Sequence, residues 1–397
     1  MIWTAVRRRC VGLFELTGDH PGRNLPMEGL RGLAVLLVFF VHFQSLSAPW
    51  IEQGSGTAQN LGFLWGIGHS GVDLFFVLSG FLIYGTVIRR RSRPSAFFRR
   101  RFQRIYPAFL AVFVLYVGLS VVFPAVSKIP EGGENALPYL AENLMLLPGM
   151  LPIEPLLTVA WSLSYEVFYY LAIPLVVAVT RMWRWSPRNR IRFFAGSAAA
   201  LVALSFLTQA SHVRLLMFLS GILVYEFSRR DATFGTKRSM EWAVLALTVG
   251  GVAISGALEG VPRAEGTTGS MPVWSEIARV VVLGTAFGAL CWTALRAGHV
   301  LRRSLSWTPL RWLGNMSYSY YLVHGLALQF VFLVLARVSP SDHHWTGMAW
   351  AILPVALVAT LVPAVALFGL VEKPLSLAPA TSPSAAAPSA TAGVAVR

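Results

Sequence analysis

Charged residues are scarce in this sequence of 397 residues, and acidic residues are the scarcest. Asp and Glu number 18 together against 33 Lys and Arg, and the four types make up only 13% of the chain. A soluble domain carries about 25% charged residues, so a soluble globular protein of this length is excluded. The mean hydropathy is +0.60, and apolar runs of about 20 residues, each long enough to cross the hydrocarbon core of a bilayer, recur along the chain. The sequence therefore predicts an integral membrane protein.

Cysteine is nearly absent as well. Only Cys10 and Cys291 occur, which excludes a disulfide framework, and their separation fits no metal-ligand spacing. We predict no metal site and no permanently bound cofactor. The opening residues MIWTAVRRRC are basic but lack an apolar stretch and a small-residue cleavage site, so we expect no cleaved signal peptide.

Apolar segments predict an all-α bundle of about ten transmembrane helices. We place them at 29–48, 70–88, 105–125, 158–180, 192–208, 212–228, 241–258, 276–295, 312–336 and 346–370. They form one transmembrane domain, 29–375, between a basic segment, 1–28, and a tail, 376–397, whose Ala, Ser and Pro content predicts disorder. The long loop 126–157 is expected to form a lid or a partial helix.

The basic residues are distributed unevenly between the predicted loops. If the N-terminus is cytoplasmic, the inner segments hold 27 Lys and Arg and the outer segments hold 5, with Arg279 counted among the outer ones. This bias is what the positive-inside rule describes, and it predicts that both termini are cytoplasmic. The excess of 15 positive charges then reflects membrane topology, and binding to nucleic acid is not needed to explain it.

The first span, EGLRGLAVLLVFFVHF, carries two ionisable residues that lipid disfavours. Arg31 and His42 are eleven residues apart, which places them within about 20° of one helix face and about 16 Å apart along the axis. An Arg at the bilayer centre costs several kcal/mol, so this face should point into the bundle. The alternative is that both side chains reach the headgroups on either side.

The second span opens with GHSGVD, in which His69 and Asp73 are four residues apart. That spacing permits a side-chain pair on a helix. A carboxylate beside an imidazole raises its basicity, which suits proton transfer. A purely structural polar pair is the alternative.

The fourth and ninth spans also carry polar side chains. Glu166 lies in WSLSYE, where a membrane carboxylate is a candidate acid, base or partner for a sugar hydroxyl. Tyr321 and His324 are three residues apart in SYSYYLVH and need polar partners inside lipid. The residues just before Glu166 that share its environment are Trp161, Ser162 and Ser164.

Eight arginines lie in RRRSRPSAFFRRRFQRIYP, between the second and third spans. They anchor the topology. Arg101 and Arg104 are also one helical turn apart where the third helix begins, and paired guanidinium groups grip the oxygens of a polyphosphate. A nucleotide-bearing thioester or a diphosphate carrier would match them.

Together these segments resemble the acyltransferase-3 family of bacterial membrane O-acyltransferases. In that family an Arg or Glu, ten residues and a His mark the first helix, and Arg31 and His42 match them. The other matching segments are GVDLFFVLSGF, the arginine pair before IYP, WSLSYE, SYSYYLVH and VEKP, where we expect Pro374 to end the last helix. The resemblance covers residues 27–375. Two departures are the missing second acidic residue after Glu166 and the absence of the esterase-like domain found in some relatives.

The resemblance implies transfer of a short acyl group, often acetyl, from acyl-CoA to a carbohydrate hydroxyl. The acceptor is a surface glycan, a lipid-linked sugar or a glycosylated metabolite, and acyl-CoA is a co-substrate. The partners are then acyl-CoA, the carbohydrate acceptor and membrane lipid, and a homo-oligomer is left open. The expected location is the bacterial cytoplasmic membrane, as a multi-pass protein.

The same resemblance assigns roles to the residues already named. His42 acts as the general base or accepts the acyl group itself, and Arg31 orients the thioester or stabilises charge on its oxygen. Asp73 and Glu166 hold an imidazole or bind the acceptor. The residues expected to bind the substrates are Arg101 and Arg104, on the coenzyme phosphates, with His69, Trp161, Ser162, Ser164, Tyr321 and His324.

Two other functions fit intramembrane charges. A secondary transporter or flippase of a lipid-linked sugar is one, but the hydropathy shows neither two halves nor an inverted repeat. A scaffold for a glycan-export complex is the other, and it predicts that the intramembrane His and Arg are dispensable.

Overall fold

The computed structural model describes residues 11–15, 24–89, 94–208, 212–230, 236–259, 272–296, 298–339 and 347–377. In these ranges the regular structure is helical, apart from a single bridge between Pro148 and Leu151. Nine helical segments of the described residues are long and apolar enough to cross a membrane. The predicted tail and most of the predicted N-terminal segment lie outside the described residues, as does Cys10.

Fourteen α-helices that follow residue 24 in the described ranges are numbered in chain order. They are α1 (Leu25–Ser47), α2 (Gly56–Gly68), α3 (Ser70–Arg89), α4 (Pro94–Val122), α5 (Gly133–Leu144), α6 (Ala160–Val179), α7 (Pro187–Thr208), α8 (Leu215–Arg230), α9 (Arg238–Glu259), α10 (Val273–Ala294), α11 (Val300–Leu305), α12 (Thr308–Asn315), α13 (Ser317–Val338) and α14 (Met348–Leu367). A π-helix, Phe368–Ser376, continues α14.

The predicted all-α membrane bundle is confirmed, and the differences are local. The segment predicted as a sixth span forms α8, whose 16 residues are short for a crossing, and α8 packs against α3, α7 and α10. Helix α2 was not predicted, and together with α3 it makes one candidate span, Gly56–Arg89. The partial helix expected in the loop 126–157 is α5.

Helix α4 begins eleven residues before its predicted start. Pro94 occupies its first position, where the missing N–H costs nothing, and arginine is a good helix former. The basic stretch 94–104 is therefore the first part of a membrane helix and not a loop. This extension brings Arg101 and Arg104 onto the bundle itself.

The two described ends of the chain meet at one end of the bundle, where α1, α4 and α13 begin and the π-helix ends. We call it the basic end. Lys373 there donates through Nζ to the carbonyl oxygens of Gly12 and Leu13. Arg311 pairs with both Glu15 and Glu28. Both described ends therefore lie on one side, while their cytoplasmic location stays a prediction.

Helices α3 and α8 pack backbone to backbone. A Cβ atom on Gly80 of α3 would lie 2.2 Å from the carbonyl oxygen of Phe218 in α8. A Cβ atom on Gly221 of α8 would lie 2.1 Å from the carbonyl oxygen of Val77. Lipid provides no hydrophobic driving force for helix association, so close van der Waals packing at such small residues holds membrane helices together.

We expect Gly80→Ala to destabilise the protein by about 1–3 kcal/mol, because the added methyl group overpacks against backbone that cannot move aside. Thermal unfolding in detergent measures the effect. Gly118→Ala is the matched control, since a Cβ atom on Gly118 in α4 meets nothing within 4 Å. Alanine also favours a helix over glycine, so the control should be neutral or slightly stabilising. Equal effects of the two substitutions would contradict the close packing of α3 and α8.

Candidate active site

The ionisable face of α1 packs against α13. Arg31 donates through Nη2 to Oγ of Ser317 at 2.9 Å. The ring of His42 lies 4.9 Å, between centroids, from the ring of His324, in an edge contact. The predicted inward orientation of Arg31 and His42 is therefore confirmed.

A cavity of about 130 Å³ lies between α1, α3, α4, α6 and α13, and its lining runs from Arg104 towards Val72 near the start of α3. Three of its lining residues are cationic and one is anionic. The polar residues that line it are Arg31, Arg101, Arg104, Glu166, Ser79, Ser162, Ser317, Tyr170, Tyr318 and Tyr321. The predicted site residues that are thus brought together around one space are Arg31, Arg101, Arg104, Ser162, Glu166 and Tyr321.

Glu166 is held at the wall of this cavity by α3. Ser79 donates through Oγ to Oε1 of Glu166 at 2.5 Å. Ser162, one turn earlier on α6, lies 2.7 Å from the hydroxyl of Tyr321. Ser164 points elsewhere, because its hydroxyl is buried and donates to the carbonyl of Ala160 in its own helix.

Arg104 is already paired. Its Nη1 donates to Oε1 of Glu372, which is fully buried on the π-helix. The other oxygen of Glu372 accepts from the backbone N–H of Ser319 at 3.0 Å and from the Ser319 hydroxyl. The predicted helix end at Pro374 is wrong, since the π-helix continues to Ser376 with Pro374 inside it. The VEKP segment instead turns its carboxylate inward.

Arg101 has more freedom to bind a ligand. Its guanidinium lies 5.5 Å from the ring centroids of both Phe97 and Tyr170. Its buried Nε has no hydrogen-bond partner among the described residues. With Arg104 neutralised by Glu372, the cations left to attract an anion are Arg101 and Arg31, against the carboxylate of Glu166.

His42 does not line the cavity. Tyr321 and His324, two side chains on α13, lie between the cavity and His42. The hydroxyl of Tyr321 lines the cavity beside Ser162. The ring of Tyr321 lies 5.9 Å from that of His324, which in turn contacts His42. The site therefore has two parts, a cationic cavity and a histidine pair farther from the basic end.

A second polar cluster lies at the opposite end of the bundle, the distal end, where α3 begins. Asp73 is fully buried, and its Oδ2 lies 3.4 Å from Nη1 of Arg279 on α10. Our assignment of Arg279 to an outer segment was wrong, because α10 begins at Val273 and places Arg279 almost two turns inside the bundle. The ring of His69 contacts Trp65 at 4.5 Å, and its Nε2 has no hydrogen-bond partner among the described residues.

Trp161 is also at the distal end, at the start of α6. The guanidinium of Arg214 lies 5.0 Å from the centroid of its ring. Trp161 therefore presents an aromatic surface next to a cation, an arrangement suited to a polar ring with anionic or hydroxyl substituents.

Known proteins with similar sequences identify the family of this chain. The family described as an acyltransferase domain matches residues 25–369, nearly the whole chain. The chain belongs to this acyltransferase family. It is a multi-pass membrane acyltransferase that transfers a group other than an aminoacyl group.

Curated relatives of the acyltransferase support the assignment. "Acyltransferase MdmB" of Streptomyces mycarofaciens is 29% identical over 84% of this chain and 87% of its own length. "Exopolysaccharide production protein ExoZ" of Rhizobium meliloti is 29% identical over 69% and 81%. "O-acetyltransferase OatA" of Staphylococcus aureus is 27% identical over 78% of this chain, which spans about half, 51%, of that protein. No solved structure matches the acyltransferase significantly.

The structure adds site residues that the sequence did not single out. Glu372 and Arg279 act as buried partners of Arg104 and Asp73, and Tyr170 carries part of the cavity wall. One signal for Arg279 was available in the sequence, because an arginine at the start of an apolar run needs a carboxylate partner. The sequence could not show which residues pair, because Asp73 and Arg279 are 206 residues apart in the chain and Arg104 and Glu372 are 268 apart.

Proposed function

We propose that the acyltransferase moves an acetyl group from acetyl-CoA to a hydroxyl of a carbohydrate in a surface glycan, a lipid-linked sugar or a glycosylated metabolite. The observation that carries the proposal is the arginine-rich cavity, joined through Tyr321 and His324 to His42. The names of two relatives support the same chemistry, since one is an O-acetyltransferase and the other takes part in exopolysaccharide production.

The donor enters from the basic end, which we place at the cytoplasmic face of the bacterial inner membrane because basic segments face the cytoplasm. At about 130 Å³ the cavity is far smaller than the roughly 300–1,000 Å³ of sites that enclose drug-sized ligands. A whole coenzyme A molecule therefore does not fit inside it, and only the acyl-bearing end of the donor enters. The phosphates then stay at the mouth, where Arg101 is the available guanidinium.

Arg31 contacts the donor arm, and His42 performs the proton transfer. Arg31 is held at Ser317, the first residue of α13, whereas His42 lies beside His324, seven residues or about 10 Å farther along that helix. Reacting groups must approach within about 3–3.5 Å, so the two side chains cannot act on the same carbon atom. Arg31 therefore guides the thioester past the cavity toward His42.

At His42 the neutral imidazole takes the proton of the acceptor hydroxyl as its oxygen attacks the thioester carbon. The new C–O bond forms, the C–S bond breaks, and the departing thiolate of coenzyme A receives the proton. The alternative chemistry first moves the acetyl group onto His42 and then onto the acceptor.

The acceptor approaches from the distal end. The guanidinium of Arg214 lies over one face of the ring of Trp161 there and offers N–H donors to the acceptor. Asp73 is fully buried and paired with Arg279, so its proposed role is to balance that charge beside the path of the acceptor rather than to contact the sugar.

The decisive experiment is incubation of purified protein with radiolabelled acetyl-CoA and a panel of mono- and oligosaccharides. The proposal expects label on a saccharide hydroxyl, and label on the protein alone would indicate the acyl-histidine route. Transport of a lipid-linked sugar into vesicles without any labelled product would favour the flippase instead.

We expect Arg101→Ala to weaken binding of acetyl-CoA by about 10–100-fold, because one charge-assisted hydrogen bond contributes about 1.5–3 kcal/mol. Calorimetry with the non-reacting coenzyme A measures it. Arg100→Ala is the matched control, since Arg100 is exposed on the same helix and bonds to the carbonyl of Ala96. An unchanged affinity in Arg101→Ala would remove this residue from the phosphate site. A double substitution with Arg104 would be harder to interpret, because Arg104 also balances Glu372.

A further inference from the structure

The tautomer of His324 is fixed by its own helix. Its Nδ1 lies 3.1 Å from the carbonyl oxygen of Tyr320 and 2.9 Å from that of Tyr321. Carbonyl oxygens only accept hydrogen bonds, so Nδ1 must carry the hydrogen atom. The other nitrogen, Nε2, is then a bare lone pair in the neutral ring.

That lone pair is available to a donor. His324 is fully buried, and its Nε2 has no hydrogen-bond partner among the described residues. A buried acceptor left in this state costs about 1–3 kcal/mol. A hydrogen-bond donor that reaches Nε2 would remove this cost.

The neighbouring hydroxyl groups are already engaged. The hydroxyl of Tyr320 lies 2.9 Å from that of Thr360, and the hydroxyl of Tyr321 lies 2.7 Å from that of Ser162. The ring of Tyr320 is stacked on His324 at 5.4 Å and covers a face of the ring rather than Nε2. Among these aromatic contacts, the imidazole of His42, 4.9 Å away, is the one that can still supply an N–H donor.

We propose that His324 is a positioning residue for the proposed acetyl transfer: the two rings are so close that a turn of the His42 ring brings its N–H to Nε2 of His324, and this hydrogen bond, which is not formed in the structure described, fixes the ring and tautomer of His42. The other nitrogen of His42 then faces the acceptor hydroxyl as a lone pair. The inference rests on the proposed function only for the identity of the substrate. In nucleophilic and general-base catalysis, a third group often orients the catalytic base through a hydrogen bond.

The proton balance is simple. The acceptor hydroxyl gives its proton to the free nitrogen of His42, and the leaving thiolate of coenzyme A later takes it. His324 keeps its single Nδ1 hydrogen throughout. Its role is to hold the N–H of His42, and that hydrogen bond strengthens when His42 becomes an imidazolium, because a charged donor bonds more tightly. A neutral partner does this without adding another charge to a site inside the membrane.

Two variants of His324 separate this role from a structural one. His324→Phe keeps a flat ring and removes both nitrogens, whereas His324→Gln keeps an oxygen that can accept the N–H of His42. We expect kcat to fall about 10–100-fold in His324→Phe with the KM for acetyl-CoA unchanged, and to recover at least in part in His324→Gln. His299→Phe makes the same chemical change on an exposed residue and should leave kcat unchanged.

A measurement without turnover completes the test. In protein labelled with ¹⁵N-histidine, His42 should show one neutral tautomer in the wild type and a mixture of tautomers in His324→Phe. An unchanged tautomer, a wild-type kcat in His324→Phe, or a His324→Gln variant as slow as His324→Phe would each overturn the inference. If the wild type transfers acetyl to no acceptor, the proposed function fails, and the tautomer measurement still decides the role of His324.

Discussion

Replacing His42 with alanine should abolish acyl transfer, lowering kcat by at least 10²–10⁴-fold. General-base catalysis contributes about that much, and the acyl-histidine route has no other nucleophile on this face of α1. The physical basis is the contact between His42 and His324 at 4.9 Å, which places the imidazole at the end of the row of side chains leading from the cavity.

The control for this substitution lies one turn away on the same helix. Ser45 is exposed, and its hydroxyl donates to the carbonyl of Val41 in its own helix, so Ser45→Ala should keep full activity. Membrane insertion and affinity for coenzyme A should be unchanged in His42→Ala, because the donor site is on Arg101. A His42→Ala protein that inserts normally and still transfers acetyl groups would refute the catalytic assignment and would fit the scaffold.

Replacing Glu372 with alanine should destabilise the protein by about 3–5 kcal/mol. Removing one member of a buried ion pair leaves the other charge uncompensated, and here it also frees the N–H of Ser319. Thermal unfolding in detergent measures the loss. Leu370→Ala is the matched control, since Leu370 is 77% exposed on the same π-helix and should cost little.

A double-mutant cycle tests the physical cause of that loss. Adding Arg104→Ala to Glu372→Ala removes the stranded guanidinium, so the double variant should be more stable than Glu372→Ala alone. Strictly additive losses would show that the two side chains do not depend on each other. Acyl transfer should fall in all three variants, because Arg104 lines the cavity next to Tyr318.

The sequence predicted the features that are set within a single helix, namely its position in the chain and the face on which its polar residues lie. Apolar length located the membrane helices, and the helical period placed Arg31 and His42 on one face, as the contacts with α13 confirm. It could not predict pairing between distant helices. Nothing in SEIARVV or VEKP shows that Arg279 binds Asp73 or that Glu372 binds Arg104. Because Arg104 is paired with Glu372, the arginine that we propose for the coenzyme phosphates is Arg101 alone and not the predicted pair.

The spacing of Arg31 and His42 along α1 predicted correctly that both face the bundle, but it did not show that they belong to different parts of the site. The sequence grouped Arg31 and His42 as one catalytic pair, but the structure separates a cavity around Arg31 from a histidine pair around His42. The distance between them follows from the rise of an α-helix, about 1.5 Å per residue. The sequence does not show where α13 packs. Its residues Ser317 and His324 contact Arg31 and His42, respectively, and these contacts separate the two parts of the site.

The bond between Arg104 and Glu372 joins residues 268 positions apart, which has a consequence for biosynthesis. A ribosome adds about 5–20 residues per second, so roughly 15–50 s pass between the two residues leaving the ribosome. During that interval the newly inserted α4 has an arginine without its carboxylate, which water at the headgroups must solvate. If this cavity binds the donor as proposed, it is complete only after Glu372 has been synthesised, and a nascent chain that stalls before Glu372 should be inactive.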